Sequence, residues 1–188
     1  MDQKKNELTL AKKQILLHDR LFQLVFSSLC VSMGLVLPSF FHLLGGAGQI
    51  FLPMHLPALL CGFFCRWRYA LLCGAIMPIL SSVITSMPPL FPTGFAMCFE
   101  LAAYAATTSL FYHKIRLYPA LILAMITGRC VSGVVNFFLL GLQGSSYGLE
   151  AFISGAFVLS LPGLILQIVL LPPLVKIIEK SLKNMGNR

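Results

Sequence analysis

The sequence predicts an all-α integral membrane protein with six transmembrane helices and both termini in the cytoplasm. Three observations carry this prediction: the composition, six long apolar stretches, and basic residues that lie almost entirely on one side of those stretches. Of the 188 residues, 57% are apolar and 11% are charged, and the mean hydropathy is +0.86. Soluble domains have about 25% charged residues, so this composition excludes an ordinary soluble globule.

The apolar stretches define the six predicted spans. They cover residues 21–44, 51–65, 69–86, 93–112, 117–142 and 150–175. A hydrocarbon layer about 30 Å thick needs about 20 helical residues per crossing, so the second span is short. A β-barrel would require alternating segments of about ten residues, which continuous runs such as "LYPALILAMI" do not provide.

The basic residues predict the orientation. Outside the spans they are Lys4, Lys5, Lys12, Lys13, Arg20, Arg66, Arg68, Lys114, Arg116, Lys176, Lys180, Lys183 and Arg188. The stretches that face the other way, 42–52, 87–92 and 142–150, contain no Lys or Arg. The positive-inside rule therefore places the basic side in the cytoplasm. The net charge of +8 is explained by topology, and no nucleic-acid partner is expected.

The predicted organisation has three parts. Residues 1–20 form a basic amphipathic segment that lies along the inner membrane surface, 21–178 form the six-helix membrane domain, and 179–188 form a basic cytoplasmic tail. The opening "KKNELTLAKKQILLHDR" leads into a full span without a small-residue cleavage site, so no cleavable signal peptide is expected.

The cysteines predict neither structural disulfides nor a metal centre. All six lie in apolar stretches: Cys30, Cys61, Cys65, Cys73, Cys98 and Cys130. Cys61 and Cys65 share a helix face, but two thiols without histidine or carboxylate partners make a weak metal site. Packing by small polarisable side chains is the favoured interpretation, and no cofactor is expected.

A carboxylate lies inside the fourth span, in "GFAMCFELAAYAATT" (94–108). Glu100 is 14 residues from Lys114, and Arg129 of the fifth span is 13 residues from Arg116. At 1.5 Å per residue both lie about 20 Å from the cytoplasmic side, and the short turn between these spans makes them antiparallel neighbours. We expect the two charges to meet, either as a structural ion pair or as a pair that lines a ligand pocket.

Other polar residues share the helix faces of these charges. Counting by three and four gives Ala96, Ala103, Tyr104 and Thr107 on one helix, and Ser132, Gly133 and Asn136 on the other. Tyr104 and Asn136 are candidate ligand contacts, although Asn136 could equally clasp a neighbouring helix. Gln167 in the sixth span is interpreted as a packing contact.

The outer side contains two unusual segments. Residues 51–65 span only about 21 Å, so the preceding "FHLLGGAGQI" is predicted to fold back into the protein as a lid. His55 lies here and is interpreted as a packing residue or a ligand contact. The proline-rich "SMPPLFPTG" offers Phe91 and Phe95 as apolar pocket walls, or forms a rigid loop.

Four segments together resemble the substrate-binding S components of energy-coupling factor (ECF) vitamin transporters. They are "SSLCVSMGLVLP", "LPMHLPALLCGFF", "MPPLFPTGFAMCFELAAY" and "GRCVSGVVN", and the resemblance covers residues 21–178. In that family helix 1 carries a small-residue pair, usually two alanines four apart, against which the membrane coupling subunit packs. Ser28 and Ser32 occupy these positions here.

The resemblance implies a transporter subunit of the bacterial plasma membrane. It would capture a vitamin or related precursor outside and require a coupling (T) subunit and two ATPase subunits, which a dedicated or shared module could supply. Candidate substrates include pantothenate, pyridoxine-type compounds, cobalamin-type compounds and queuosine precursors. From the residues, a paired Glu and Arg suit a neutral or zwitterionic heterocycle better than a polyanion.

The sequence also bears on two functional classes other than a transporter subunit. An enzyme is disfavoured, because the sequence lacks GxSG and HExxH motifs and has one acidic residue in the interior of a span. A self-sufficient small secondary transporter or channel is the alternative, and transport without any ATPase would identify it.

Overall fold

A computed structural model describes residues 2–43, 51–112, 114–142, 154 and 160–186 of the chain. These residues form six α-helices: α1 (Asp2–Leu43), α2 (His55–Phe64), α3 (Trp67–Thr85), α4 (Phe95–Tyr112), α5 (Leu117–Leu142) and α6 (Leu161–Gly186). The described part of the chain contains no strand, which agrees with the predicted all-α class.

Five of these helices are long and apolar enough to cross a membrane, and α2, with ten residues, is shorter. α5 has the predicted bounds, and α3 and α4 end within a few residues of theirs. α6 runs past the expected end at 175, because the residues after it continue an apolar and basic pattern that suits a helix. The expected folded-in loop before α2 falls largely on 44–50, which lie outside the described residues.

The predicted boundaries at residues 20 and 178 both fall inside helices. α1 continues from Asp2 through the first span, and α6 continues from the last span to Gly186. The three-part organisation therefore remains a division by charge and hydropathy, without a break in the backbone helix at either boundary.

Helix α4 is the central helix of the described bundle. Half of its span is buried, against 22–33% for the other four long helices, and α2, α3 and α5 all pack on it. Two glycines permit the close approach: a Cβ on Gly74 of α3 would lie 2.4 Å from the Leu101 carbonyl oxygen, and one on Gly62 of α2 would lie 2.6 Å from the Ala105 carbonyl oxygen. Small residues at such contacts let helix backbones come together.

The basic termini of several helices lie at one end of the bundle. Arg66, which precedes α3, forms an ion pair with Asp19 of α1 (2.6 Å), and its backbone N–H donates to the Gln23 side chain (2.7 Å). The Tyr112 hydroxyl at the end of α4 donates to Glu179 of α6. These contacts join residues in or beside the segments that the positive-inside rule predicts to face the cytoplasm.

The segment between α3 and α4, residues 86–94, is held by hydrogen bonds to α3 and by a bond within the segment. The Ser81 and Ser82 hydroxyls donate to the carbonyls of Met87 and Pro88, both at 2.7 Å, and the Gly94 N–H donates to the Pro89 carbonyl at 2.8 Å. These bonds support the rigid-loop interpretation of this segment.

All six cysteines are free thiols; Cys130 is exposed and the other five are buried. The Cys73 thiol donates to the Ser27 carbonyl at 3.5 Å, and the Cys65 thiol lies 3.8 Å from the Gln23 carbonyl. Both contacts join α1 to the neighbouring helices, which agrees with a packing role for these residues.

Candidate functional site

Three helices bring charged or titratable side chains to one point in the middle of the bundle. Glu100 of α4 accepts a bond from Arg129 of α5, with 2.8 Å between Nη1 and Oε1. His55, the first residue of α2, places its Nε2 3.1 Å from the same carboxylate oxygen. The exposed fractions are 4% for Glu100, 6% for Arg129 and 1% for His55. The predicted meeting of Glu100 and Arg129 is confirmed.

The sequence did not predict that His55 contacts the Glu100 carboxylate. Because the ionised carboxylate only accepts hydrogen bonds, Nε2 of His55 carries the proton of that contact. Two donors, from Arg129 and His55, therefore bind the Glu100 carboxylate, which offsets the cost of several kcal/mol that a buried charge carries in a membrane.

Tyr104 completes the cluster one turn along α4 from Glu100. Its ring is fully buried and packs edge-on against the His55 ring, with centroids 5.0 Å apart and an interplanar angle of 87°. Gly128 of α5 makes room for it, because a Cβ there would lie 2.0 Å from Cδ2 of Tyr104. The absence of a side chain at Gly128 thus fixes Tyr104 between α2 and α5.

Several buried polar atoms near this cluster have no hydrogen-bond partner among the described residues. They are Nε and Nη2 of Arg129, the Tyr104 hydroxyl and Nδ1 of His55. Leaving such a group unsatisfied costs about 1–3 kcal/mol. The cluster therefore has capacity to bind a polar group that is not part of the described protein.

Gln167 of α6 also has buried polar atoms without a hydrogen-bond partner among the described residues. Its side chain is fully buried, and neither atom of its amide has a partner within the described residues. The sequence indicated a packing contact here; the unpaired amide, which pattern analysis does not reveal, makes Gln167 a further candidate for binding a polar group.

The remaining candidate ligand contacts make no hydrogen bond or ion pair with Glu100, Arg129 or His55 in the described structure. Asn136 is half-buried and donates to the carbonyl (2.8 Å) and the hydroxyl (3.3 Å) of Ser132 in its own helix. Phe91 and Phe95 are 51% and 46% exposed, and Phe95 packs against Phe99 with ring centroids 5.3 Å apart. Their assignment as pocket walls remains a prediction.

Ser28 and Ser32 lie on one exposed face of α1. The Ser32 hydroxyl donates to the Ser28 carbonyl of the same helix at 3.0 Å, so its polar group is satisfied locally. Exposed apolar side chains surround the pair along α1: Leu21, Leu24, Val25, Leu29 and Val36. This face is apolar, and the two small serines leave a shallow depression between the larger side chains. Such a surface suits close packing of another helix.

Comparison with known families identifies the family of this chain. The family model described as "ECF transporter, substrate-specific component" matches residues 22–175. The matched range contains both serines of α1 and every member of the buried cluster. No curated protein and no solved structure matches the chain.

Proposed function

The chain belongs to the family of ECF transporter substrate-specific components, and from this membership we propose that it captures a vitamin or a related small precursor outside a bacterial cell. In this proposal the protein lies in the plasma membrane and delivers its substrate through separate coupling and ATPase subunits. The protein binds and presents the substrate, and it catalyses no reaction.

The observation that carries the proposal is the buried cluster of Glu100, Arg129 and His55. A purely structural ion pair is most stable when the remaining donors of both partners are satisfied. Here Arg129, which is 6% exposed, keeps two nitrogen atoms that have no partner in the described part of the chain. A ligand that binds these atoms explains why a charged group is kept at the centre of a membrane bundle.

The substrate-binding residues that we propose fall into two groups. Glu100, Arg129, His55 and Tyr104 form the polar centre, and Asn136 lies two turns farther along α5 on the outer side. The apolar walls are Phe91 and Phe95, whose exposed rings can close on a bound heterocycle. Such a mixture of a few convergent polar groups and aromatic surface is typical of small-molecule sites.

The energy for transport must come from partner subunits. The sequence contains no GxxxxGK[ST] motif, so this chain does not bind ATP by a P-loop. We propose that a coupling (T) subunit packs on the α1 face around Ser28 and Ser32 and joins the chain to two ATPase subunits. The exposed apolar side chains of that face support this assignment.

The proposed orientation predicts the accessibility of two exposed positions. In a variant without native cysteines, a cysteine at Pro89 should react with an impermeant thiol reagent added outside intact cells. A cysteine at Arg68 should react only after the membrane is opened, because positive charges are retained in the cytoplasm. Labelling of position 68 in intact cells would overturn the six-span topology.

Transport of a co-purified molecule tests the function. The full chain is purified in detergent and denatured, and the released small molecules are identified by mass spectrometry. Cells that express the chain with the coupling and ATPase subunits are expected to accumulate the identified molecule, whereas cells with an inactive ATPase are expected not to. Equal accumulation by the chain alone would favour a self-sufficient secondary transporter or channel.

A further inference from the structure

The unpaired edge of the Arg129 guanidinium indicates a particular ligand group. Arg129 uses Nη1 to bind Glu100, and its Nε and Nη2 have no hydrogen-bond partner among the residues that the structure describes. These two nitrogens lie on the same side of the planar guanidinium and present parallel N–H groups. That edge matches the two oxygens of a carboxylate in a bidentate arrangement.

We propose that the substrate of this site carries one carboxylate, which docks on the Nε and Nη2 edge of Arg129 with the Tyr104 hydroxyl as an additional donor. The inference rests on the proposed substrate-binding function and deepens it by naming the chemical class of the substrate. The substrate is a monocarboxylic acid or a zwitterion, and a neutral heterocycle is excluded.

The number of free donors favours a carboxylate over a neutral carbonyl. Nε carries one hydrogen and Nη2 carries two, and the Tyr104 hydroxyl adds a fourth. A carboxylate offers about four lone-pair positions, whereas a carbonyl offers two. A neutral carbonyl would therefore leave buried donors unsatisfied, each at a cost of about 1–3 kcal/mol.

The charge balance of the cluster limits the ligand to one negative charge. Glu100 and Arg129 neutralise each other, and His55 can contribute at most one positive charge. A monocarboxylate is then balanced by protonated His55 or by a cationic group of the ligand itself. A phosphate dianion would leave an excess of buried negative charge beside Glu100, which is costly in a low-dielectric setting.

The cluster is closed to solvent in this structure, since these atoms are buried. The ligand therefore reaches Arg129 only after covering side chains move.

Retention of molecules from a bacterial metabolite extract tests the inference. The purified full chain is incubated with the extract, washed and denatured, and the released molecules are tagged with a carboxyl-specific reagent before mass spectrometry. The retained molecule is expected to react with the tag. Its methyl ester is expected to bind the wild-type chain at least about tenfold more weakly, because esterification removes the charge and one acceptor oxygen.

Two variants locate the contact on Arg129. Arg129→Lys keeps the positive charge but lacks the planar fork, and it should lower the affinity for the acid at least about tenfold while leaving the weaker ester affinity nearly unchanged. Cys130→Ala, at the exposed neighbouring position, should bind both as the wild type does. If Arg129→Lys does not fold, the affinities of the wild-type chain for the acid and the ester still test whether the substrate binds through a carboxylate.

The outcomes separate this inference from the proposed function. Retention of a molecule without a carboxylate, or equal affinity for acid and ester, would overturn the carboxylate while leaving substrate capture in place. Retention of no molecule at all would contradict both.

Discussion

Replacing Ser28 or Ser32 with tryptophan is expected to abolish transport and to leave ligand affinity of the isolated chain nearly unchanged. Both side chains are exposed on α1, and their small size leaves a shallow centre between the surrounding Leu and Val side chains. A tryptophan there would hold the coupling subunit away from the helix, because close helix packing in a membrane depends on small residues. Uptake in cells and affinity in detergent measure the two effects separately.

A matched variant controls for the size of the new side chain. Cys130→Trp introduces the same ring at an exposed small residue of α5, away from α1, and transport should persist at near wild-type level. Ser28→Ala and Ser32→Ala should also transport, since alanine keeps the surface small. Loss of ligand affinity together with transport in either tryptophan variant would contradict the assignment of this face to the coupling subunit.

The contact between Glu100 and Arg129 could be predicted from the sequence because it depends on helix rise and topology. Both residues lie at similar distances from basic residues that mark the cytoplasmic side, and a short turn makes their helices neighbours. The bounds of α5 were predictable for a related reason: apolar length and flanking charge are properties of the local sequence.

The approach of His55 to the same carboxylate could not be predicted in this way. It depends on how α2 packs against α4, and Gly62 sets that distance. The hydrophobic pattern around His55 does not indicate which helix its side chain faces, because α2 is short and is buried on most sides. The position of Tyr104 likewise depends on the missing side chain of Gly128 in another helix. Such contacts arise from three-dimensional packing, which periodicity does not encode.

The sequence also could not predict which nitrogens of Arg129 lack a partner among the described residues. A charged residue in a span predicts a partner, but the number of its donors that remain free depends on side-chain geometry. The exposure of Phe91 could not be predicted either, because this residue lies in the segment between α3 and α4, whose conformation depends on hydrogen bonds to α3.

Glu100→Gln is expected to destabilise the protein by about 3–5 kcal/mol, because it leaves Arg129 as an uncompensated buried charge. Arg129→Gln should have a similar effect through the unpaired Glu100 carboxylate. The double variant removes both charges and should recover most of the thermal stability in detergent. Lys180→Gln, which removes an exposed charge of α6, is the control and should shift stability by less than about 0.5 kcal/mol.

Ligand affinity across the same four proteins separates a structural pair from a substrate site. If the pair only joins α4 to α5, the stable double variant should bind the co-purified ligand nearly as the wild type does. If the pair lines the site, as we propose, the double variant should be folded but bind at least about tenfold more weakly, which corresponds to about 1.4 kcal/mol. The two measurements respond to different properties, because fold recovery requires only that no buried charge is unpaired, whereas binding requires the free guanidinium edge. Additive destabilisation by the two single changes would contradict the 2.8 Å contact between these side chains.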